Sequence, residues 1–200
     1  FYGICDLRSG GETIFNRMTM PWKNPDRDLT WDSRGFTIAS NNNLHVVPEA
    51  KLVDLRNRTV DADAVSCIIP IVGTPDLNSA CWISLKKNLE MNNLKFLIST
   101  EDRQAQLEES GMYYKMTSEE IADVLYPHIM TENLIQEAIG LNSEIRENRI
   151  RLHESGMNTK DLIVVLSYLN YIADKLENEY NKYFYDADNE EDLENIQLVF

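Results

Sequence analysis

The sequence predicts a mixed α/β domain. Three observations carry this. Residues 1–5 and 65–72 are short runs of apolar, aromatic and branched side chains bounded by turn residues, as buried strands are. Between and after them lie segments with helical apolar spacing, the longest over 159–185. Strand-like and helix-like segments alternate, which is the order of a sheet flanked by helices. At 200 residues and 43 % hydrophobic, the chain suits one domain with a sizeable core.

Each element follows from local chemistry. Residues 1–5 read as a buried strand closed by Asp6 and then Gly10-Gly11. A helix is predicted over 12–20, stopped by Pro21. Residues 21–45 hold Pro21, Pro25, Gly35 and Asn41-Asn42-Asn43, a turn-rich excursion of a length usually kept for function. A short helix is expected over 48–55. Residues 65–72 (Val-Ser-Cys-Ile-Ile-Pro-Ile-Val) form a second strand, which Pro70 places near an edge or a bulge. A helix over 76–92 is capped by Asp76, and residues 94–98 read as a third strand. Residues 101–110 are helical up to Gly111. Helices over 118–126 and 129–139 are divided by Pro127. Residues 149–152 alternate as a strand, and Gly156 turns the chain after it. Thr159 then caps the last long helix, whose Leu162, Val165, Leu166, Leu169, Ile172, Ala173 and Leu176 share one face.

Composition excludes several function classes. No apolar run approaches a membrane span, and no signal peptide is visible. Phe1 begins inside an apolar run without an initiator Met, which reads as a fragment whose start lies upstream. Cys5, Cys67 and Cys81 are too few and scattered for a disulfide framework or a zinc site, and read as buried thiols. His45, His128 and His153 show no ligand spacing. No Gly-x-Ser-x-Gly elbow and no phosphate-binding Gly-x-x-x-x-Gly-Lys loop occurs. The net charge of −14 opposes simple nucleic-acid binding, because phosphate contacts need Lys and Arg. That charge is uneven: Asp186, Asp188, Glu190, Glu191, Asp192 and Glu194 form an acidic tail over 186–200, most simply a solvated run.

Two acidic residues stand out. Asp6 ends the first strand, and strand carboxyl ends are where sites collect in open α/β sheets. Its plain role is a turn or helix cap. Asp161 lies in the first turn of the last helix, behind Lys160. Its plain role there is to complement the helix dipole. Carboxylates at the ends of distant elements also suit a hard cation such as Mg²⁺, which takes oxygen ligands and keeps several waters. In phosphodiester hydrolysis two such ions activate a water and stabilise the leaving oxygen.

Four stretches carry a family resemblance. They are Gly3-Ile4-Cys5-Asp6-Leu7-Arg8-Ser9-Gly10-Gly11; residues 65–71 followed by Asn78; Thr131-Glu132-Asn133-Leu134-Ile135-Gln136-Glu137; and Arg149-Ile150-Arg151-Leu152 leading to Lys160-Asp161. In order and spacing, over residues 1 to about 180, they resemble the C-terminal nuclease domain of the terminase large subunit, the DNA-packaging motor of tailed bacteriophages. The resemblance implies an RNase H-like mixed sheet flanked by helices, with its first strand and first catalytic Asp upstream of Phe1. Residues 1–185 would be the nuclease domain and 186–200 the tail. It further implies an endonuclease that cuts concatemeric double-stranded DNA with two Mg²⁺ or Mn²⁺ ions. Asp6 and Asp161 would be the second and third catalytic carboxylates and metal ligands. Arg8 and Lys160 would face DNA. The family pattern often continues with Arg where this chain has Leu162.

Partners implied are the portal protein, the small terminase subunit and an ATPase domain earlier in the same polypeptide, at the procapsid portal in the bacterial cytoplasm. In the excursion, Trp22, Lys23, Arg27, Trp31 and Arg34 interleave basic and aromatic residues. This suits DNA contact, with Lys23 and Arg27 foremost; loop packing and solubility explain it equally. Two other functions compete: an RNase H-like module that binds partners without cutting, and a virion structural protein of unrelated α/β fold.

Overall fold

A computed structural model describes residues 2–8, 10–21, 34–41, 44–154 and 159–187. The chain divides into two compact units, Phe1–Thr74 with Ile172–Phe200, and Pro75–Tyr171.

The first unit is a parallel sheet with helices. Its elements are β1 (Gly3–Asp6), α1 (Gly11–Met18), β2 (Phe36–Ile38), α2 (Glu49–Asn57) and β3 (Val65–Ile71). The sheet order is β1-β3-β2, with both outer strands parallel to β3. Parallel strands are usually covered on both faces and so read as unbroken apolar runs, and Cys67 to Ile71 are all buried. Phe15 of α1 and Leu52 and Leu55 of α2 pack with Cys5, Ile38, Cys67 and Ile68 in one core. Salt bridges join the two helices on their outer side. Glu12 accepts hydrogen bonds from Lys51 at 2.5 Å and Arg58 at 3.0 Å.

Pro70 fits the sheet because β2 is short. The β2–β3 register slips between Thr37 and Ile38, leaving Cys67 unpaired as a bulge. Ser66 Oγ donates to the Ile38 carbonyl beside it at 2.8 Å. The last rung runs from Ala39 N–H to Ile68 O at 2.8 Å. The next rung would need an N–H from residue 70, which proline lacks. The Ala39 carbonyl instead lies 2.7 Å from His45 Nε2. Pro70 thus sits where β3 has become an edge on that side.

The second unit is helical with one hairpin. It contains α3 (Pro75–Glu90), α4 (Thr100–Glu109), a 3-10 turn (Tyr113–Lys115), α5 (Ser118–Ile139), β4 (Leu141–Arg146) and β5 (Arg149–Glu154). A last helix, α6 (Asp161–Ala187), gives its first part to this unit and its remainder to the other. The hairpin turns through Glu147 and Asn148, both at positive φ (53° and 60°), the turn whose twist matches antiparallel strands. Its apolar face joins Trp82, Leu85 and Ile163 in a small core. A polar seam joins α3 to α6. Asn88 donates to Asn170, Asn170 donates to Ser84, and Tyr168 donates to Asn78, at 2.8, 2.6 and 2.9 Å.

Four local expectations are corrected. Residues 94–98 form no strand; they have β-forming side chains but no partner strand among the described residues, and Phe96, Leu97 and Ile98 are exposed. Pro127 does not divide two helices but lies inside α5, because a proline removes one rung and a helix bonded on both sides of it can continue. Asp76 is not an N-cap; it lies in the first turn of α3 and accepts from Arg149 Nε at 2.5 Å. Thr159 does not cap α6, and its hydroxyl donates to Glu137 instead. The excursion over 21–45 includes the unexpected β2. The described part of the chain is mixed α/β with a small parallel sheet flanked by helices, as composition and periodicity predict.

Candidate functional site

Asp6 is placed by a strand-to-helix passage that only glycine permits. Gly10 precedes α1 at φ 94°, a left-handed conformation that costs other residues. A Cβ on Gly11 would fall 1.6 Å from the Asp6 carbonyl oxygen. The Gly10-Gly11 pair therefore lets α1 start against the end of β1. Asp6 Oδ1 accepts the Arg8 N–H at 3.0 Å, and Oδ2 lies 3.5 Å from Arg8 Nη2. The Asp6 side chain is 36 % exposed. Its local role is that of an Asp bonded to the backbone two residues on, which fixes the turn.

Asp161 opens α6, and its side chain is exposed. The Val164 N–H bonds the Lys160 carbonyl at 3.0 Å, which puts Lys160 at the N-cap position. A lysine ammonium has no acceptor to offer there. Glu137 near the end of α5 supplies one. Its Oε2 accepts the Leu162 and Ile163 N–H groups at 2.8 and 3.2 Å, and its Oε1 accepts the Thr159 hydroxyl at 2.6 Å. Lys160 Nζ lies 3.4 Å from Glu154 Oε1.

Of the candidate site residues, Asp6 and Arg8 are thus neighbours in the first unit, and Lys160 and Asp161 are neighbours in the second. Lys23 and Arg27, with Trp22 and Trp31, lie outside the described residues, as does the acidic tail beyond Ala187. Among the described residues, no three His, Cys, Asp or Glu side chains are grouped to hold a metal ion. Mg²⁺ commonly binds through one or two carboxylates and keeps its remaining waters.

All three cysteines are free thiols and buried. Burial pushes the Cys81 thiol up to about 12 and raises those of Cys5 and Cys67. An apolar groove of about 410 Å³ runs beside the hairpin, lined by Trp82, Leu85, Leu89, Leu141, Ile145 and Ile150 among others. Lys86, Glu90 and Ser143 are the polar side chains on its lining. Among the described residues, no helix is long and apolar enough to cross a membrane.

Glu137 is the residue that reading the sequence missed. It ends the stretch Thr131 to Glu137 that carries part of the resemblance, but a cap provided across 25 residues leaves no local pattern. No protein-family model, no curated protein and no solved structure matches the chain.

Proposed function

We propose that this chain is part of the RNase H-like nuclease domain of a bacteriophage terminase large subunit. In this reading it hydrolyses concatemeric double-stranded DNA as a Mg²⁺- or Mn²⁺-dependent endonuclease. Asp6 and Asp161 each contribute a carboxylate, and Arg8 and Lys160 are the cations for the DNA backbone. The reading also calls for a further carboxylate and an ATPase domain in the same polypeptide. The domain works with the portal protein and the small terminase subunit at the procapsid. The ions would supply the activated water and offset charge on the leaving oxygen.

The observation that carries this reading is the pair of strand-to-helix passages that the resemblance picks out. β1 passes into α1 through Asp6 and Gly10-Gly11, and β5 leads to α6 through Lys160-Asp161. The tightness at Gly11 supports the first as a built feature of the chain. The test is plasmid cleavage with Mg²⁺ or Mn²⁺ by the chain extended upstream. Loss of cleavage in Asp6→Asn and Asp161→Asn is expected, and unchanged cleavage in both overturns the reading. Residues 1–200 alone should cut poorly.

A second reading, an RNase H-like module that binds partners without cutting, is favoured by two observations. Among the described residues no three-donor group exists, and the Asp6 carboxylate faces Arg8. It predicts no divalent-ion-dependent rise in melting temperature and a stable complex with a capsid or motor component. A metal ion bound at Asp6 or Asp161 in a crystal would count against it.

A further inference from the structure

Among its neighbours, α5 is held in an unusual way. It runs 22 residues, yet none of its side chains is fully buried. Tyr126, Ile129 and Ile139 are exposed, and so are Val165 and Leu169 of α6. Between α5 and α6 lies an open apolar groove of about 230 Å³, lined by Met130, Leu134, Leu162, Val165, Leu166 and Leu169. Packing between the two helices is therefore thin, and polar bonds become important.

α5 makes polar bonds at three heights, two toward the start of α4 and one to the start of α6. His128 Nδ1 lies 2.8 Å from the Ile98 carbonyl. Glu132 Oε1 accepts the Thr100 N–H at the start of α4 at 2.7 Å. Glu137 accepts the three bonds already described at the start of α6. The first N–H groups of a helix have no acceptor within it. A carboxylate placed there both satisfies them and meets the positive end of the helix dipole.

We propose that Glu137 is a positioning residue: by clamping the first turn of α6, it fixes the place from which Lys160 and Asp161 are presented. Thr159 orients the clamp through its hydroxyl. The clamp rests on these distances alone; the use of Lys160 and Asp161 on a cation and phosphate rests on the nuclease reading. Exchanging Glu137 for Gln keeps an oxygen acceptor and removes the charge. Glu137→Asp shortens the reach by one methylene, and Glu137→Ala removes the acceptor.

The experiment is amide hydrogen exchange on the 200-residue chain, read residue by residue, with Mn²⁺ broadening of the same amides as a second arm. Wild-type Leu162 and Ile163 should be protected although they lie in a first helical turn. Glu137→Ala and Glu137→Asp should speed their exchange at least about tenfold, with residues 167–170 of α6 unchanged, and Glu137→Gln should restore most of the protection. A purely structural role would instead speed exchange along the whole helix, and that result overturns the proposal. So does unchanged exchange at Leu162 and Ile163 in Glu137→Ala.

The Mn²⁺ arm separates this claim from the nuclease reading. Broadening at 160–163 in wild type that weakens in Glu137→Ala supports both. No broadening in wild type, with local loss of protection in Glu137→Ala, removes Asp161 as a ligand and leaves the clamp supported. Broadening that is equally strong in Glu137→Ala overturns the positioning role.

Discussion

In the first unit the parallel sheet puts Phe15, Leu52, Leu55, Ile68, Ile69 and Ile71 beyond the reach of solvent. In the second, the buried side chains along α3 and α6 include Ser79, Asn88, Ser167 and Asn170. The first interior is almost all carbon and sulfur. The second is narrow, with polar groups running through it. Apolar burial is non-directional and scales with area, so the first unit draws its stability from surface removed from water. Buried amides gain little net free energy when paired and cost much more when one partner is lost. The seam of the second unit therefore sets which residues of α3 face which residues of α6, more than how stable the pairing is. Exposed apolar side chains on α5 and on the hairpin (Ile139, Ile145) fit a unit that buries less.

Four experiments test that contrast. The largest effect is expected at Gly11→Ala. Its new Cβ meets backbone, not a yielding side chain, so the loss should reach about 4 kcal/mol or more in urea unfolding. The cysteines report which unit fails. Thiol labelling during the titration should reach Cys5 and Cys67 early in this variant. In wild type, Cys81 in the second unit should be labelled at lower urea than Cys5 and Cys67. The opposite wild-type order would break the comparison.

Next is Asn170→Ala, which removes the bonds that Asn170 makes with Asn88 and Ser84 and should cost about 2 kcal/mol. Combined with Asn88→Ala, the double variant should cost less than the two singles added, by about 1 kcal/mol or more. Strict additivity would mean the seam is no network. A smaller loss, about 1 kcal/mol, is expected for Thr117→Ala. Thr117 accepts from Glu120 N–H at 3.3 Å and Glu120 returns to Thr117 N–H at 2.7 Å, a reciprocal cap on α5. Thermal melts followed at Cys81 should register it, and melts followed at Cys5 should not.

The smallest effect concerns acid. Hydrogen bonds from Lys51 and then Arg58 hold the Glu12 carboxyl below the ordinary 4.5. A carboxyl lowered by folding stabilises the fold fully above its unfolded value, and that contribution is lost as pH falls through the lowered folded value. Wild type should therefore lose stability below about pH 4.5 more steeply than Glu12→Gln, in urea midpoints measured from pH 6 to 3. Equal slopes would show that this exposed network contributes nothing, as many surface pairs do.

Sequence reading caught the elements whose signal is local. The apolar face over 159–185 became α6, the run over 65–72 became β3, and Asp6 stands at the end of β1 as expected. It missed β2, a three-residue strand whose existence depends on β3 beside it, and β4, where Asn142, Ser143 and Glu144 dilute the alternation. Asn148 suits the left-handed half of the turn, but Glu147 at positive φ does not, so Glu147-Asn148 gives no clear hairpin signal. Residues 94–98 erred the other way: side-chain preference describes a surface that fits a sheet and cannot create the neighbouring strand. At the candidate site, the positions of Asp6 and Asp161 were legible because both sit at element ends. What their surroundings add, the Arg8 contact and the Glu137 clamp, comes from tertiary placement or from turn geometry, and neither has a period.

The ties made by α5 also change how the charge of −14 is understood. Glu132 and Glu137 accept N–H groups at the starts of α4 and α6, Glu120 accepts the Thr117 N–H at the start of α5 itself, and Asp61 accepts the Gly35 N–H at 2.6 Å. These carboxylates act as internal fastenings for backbone, whereas Glu109 and Asp123 are exposed and lie away from any helix start. A charge-redesign effort to raise the isoelectric point from 4.6 therefore has two very different sets of targets. Neutralising the second set alters solubility and little else; truncating the first removes the acceptors that hold backbone N–H groups, one site at a time.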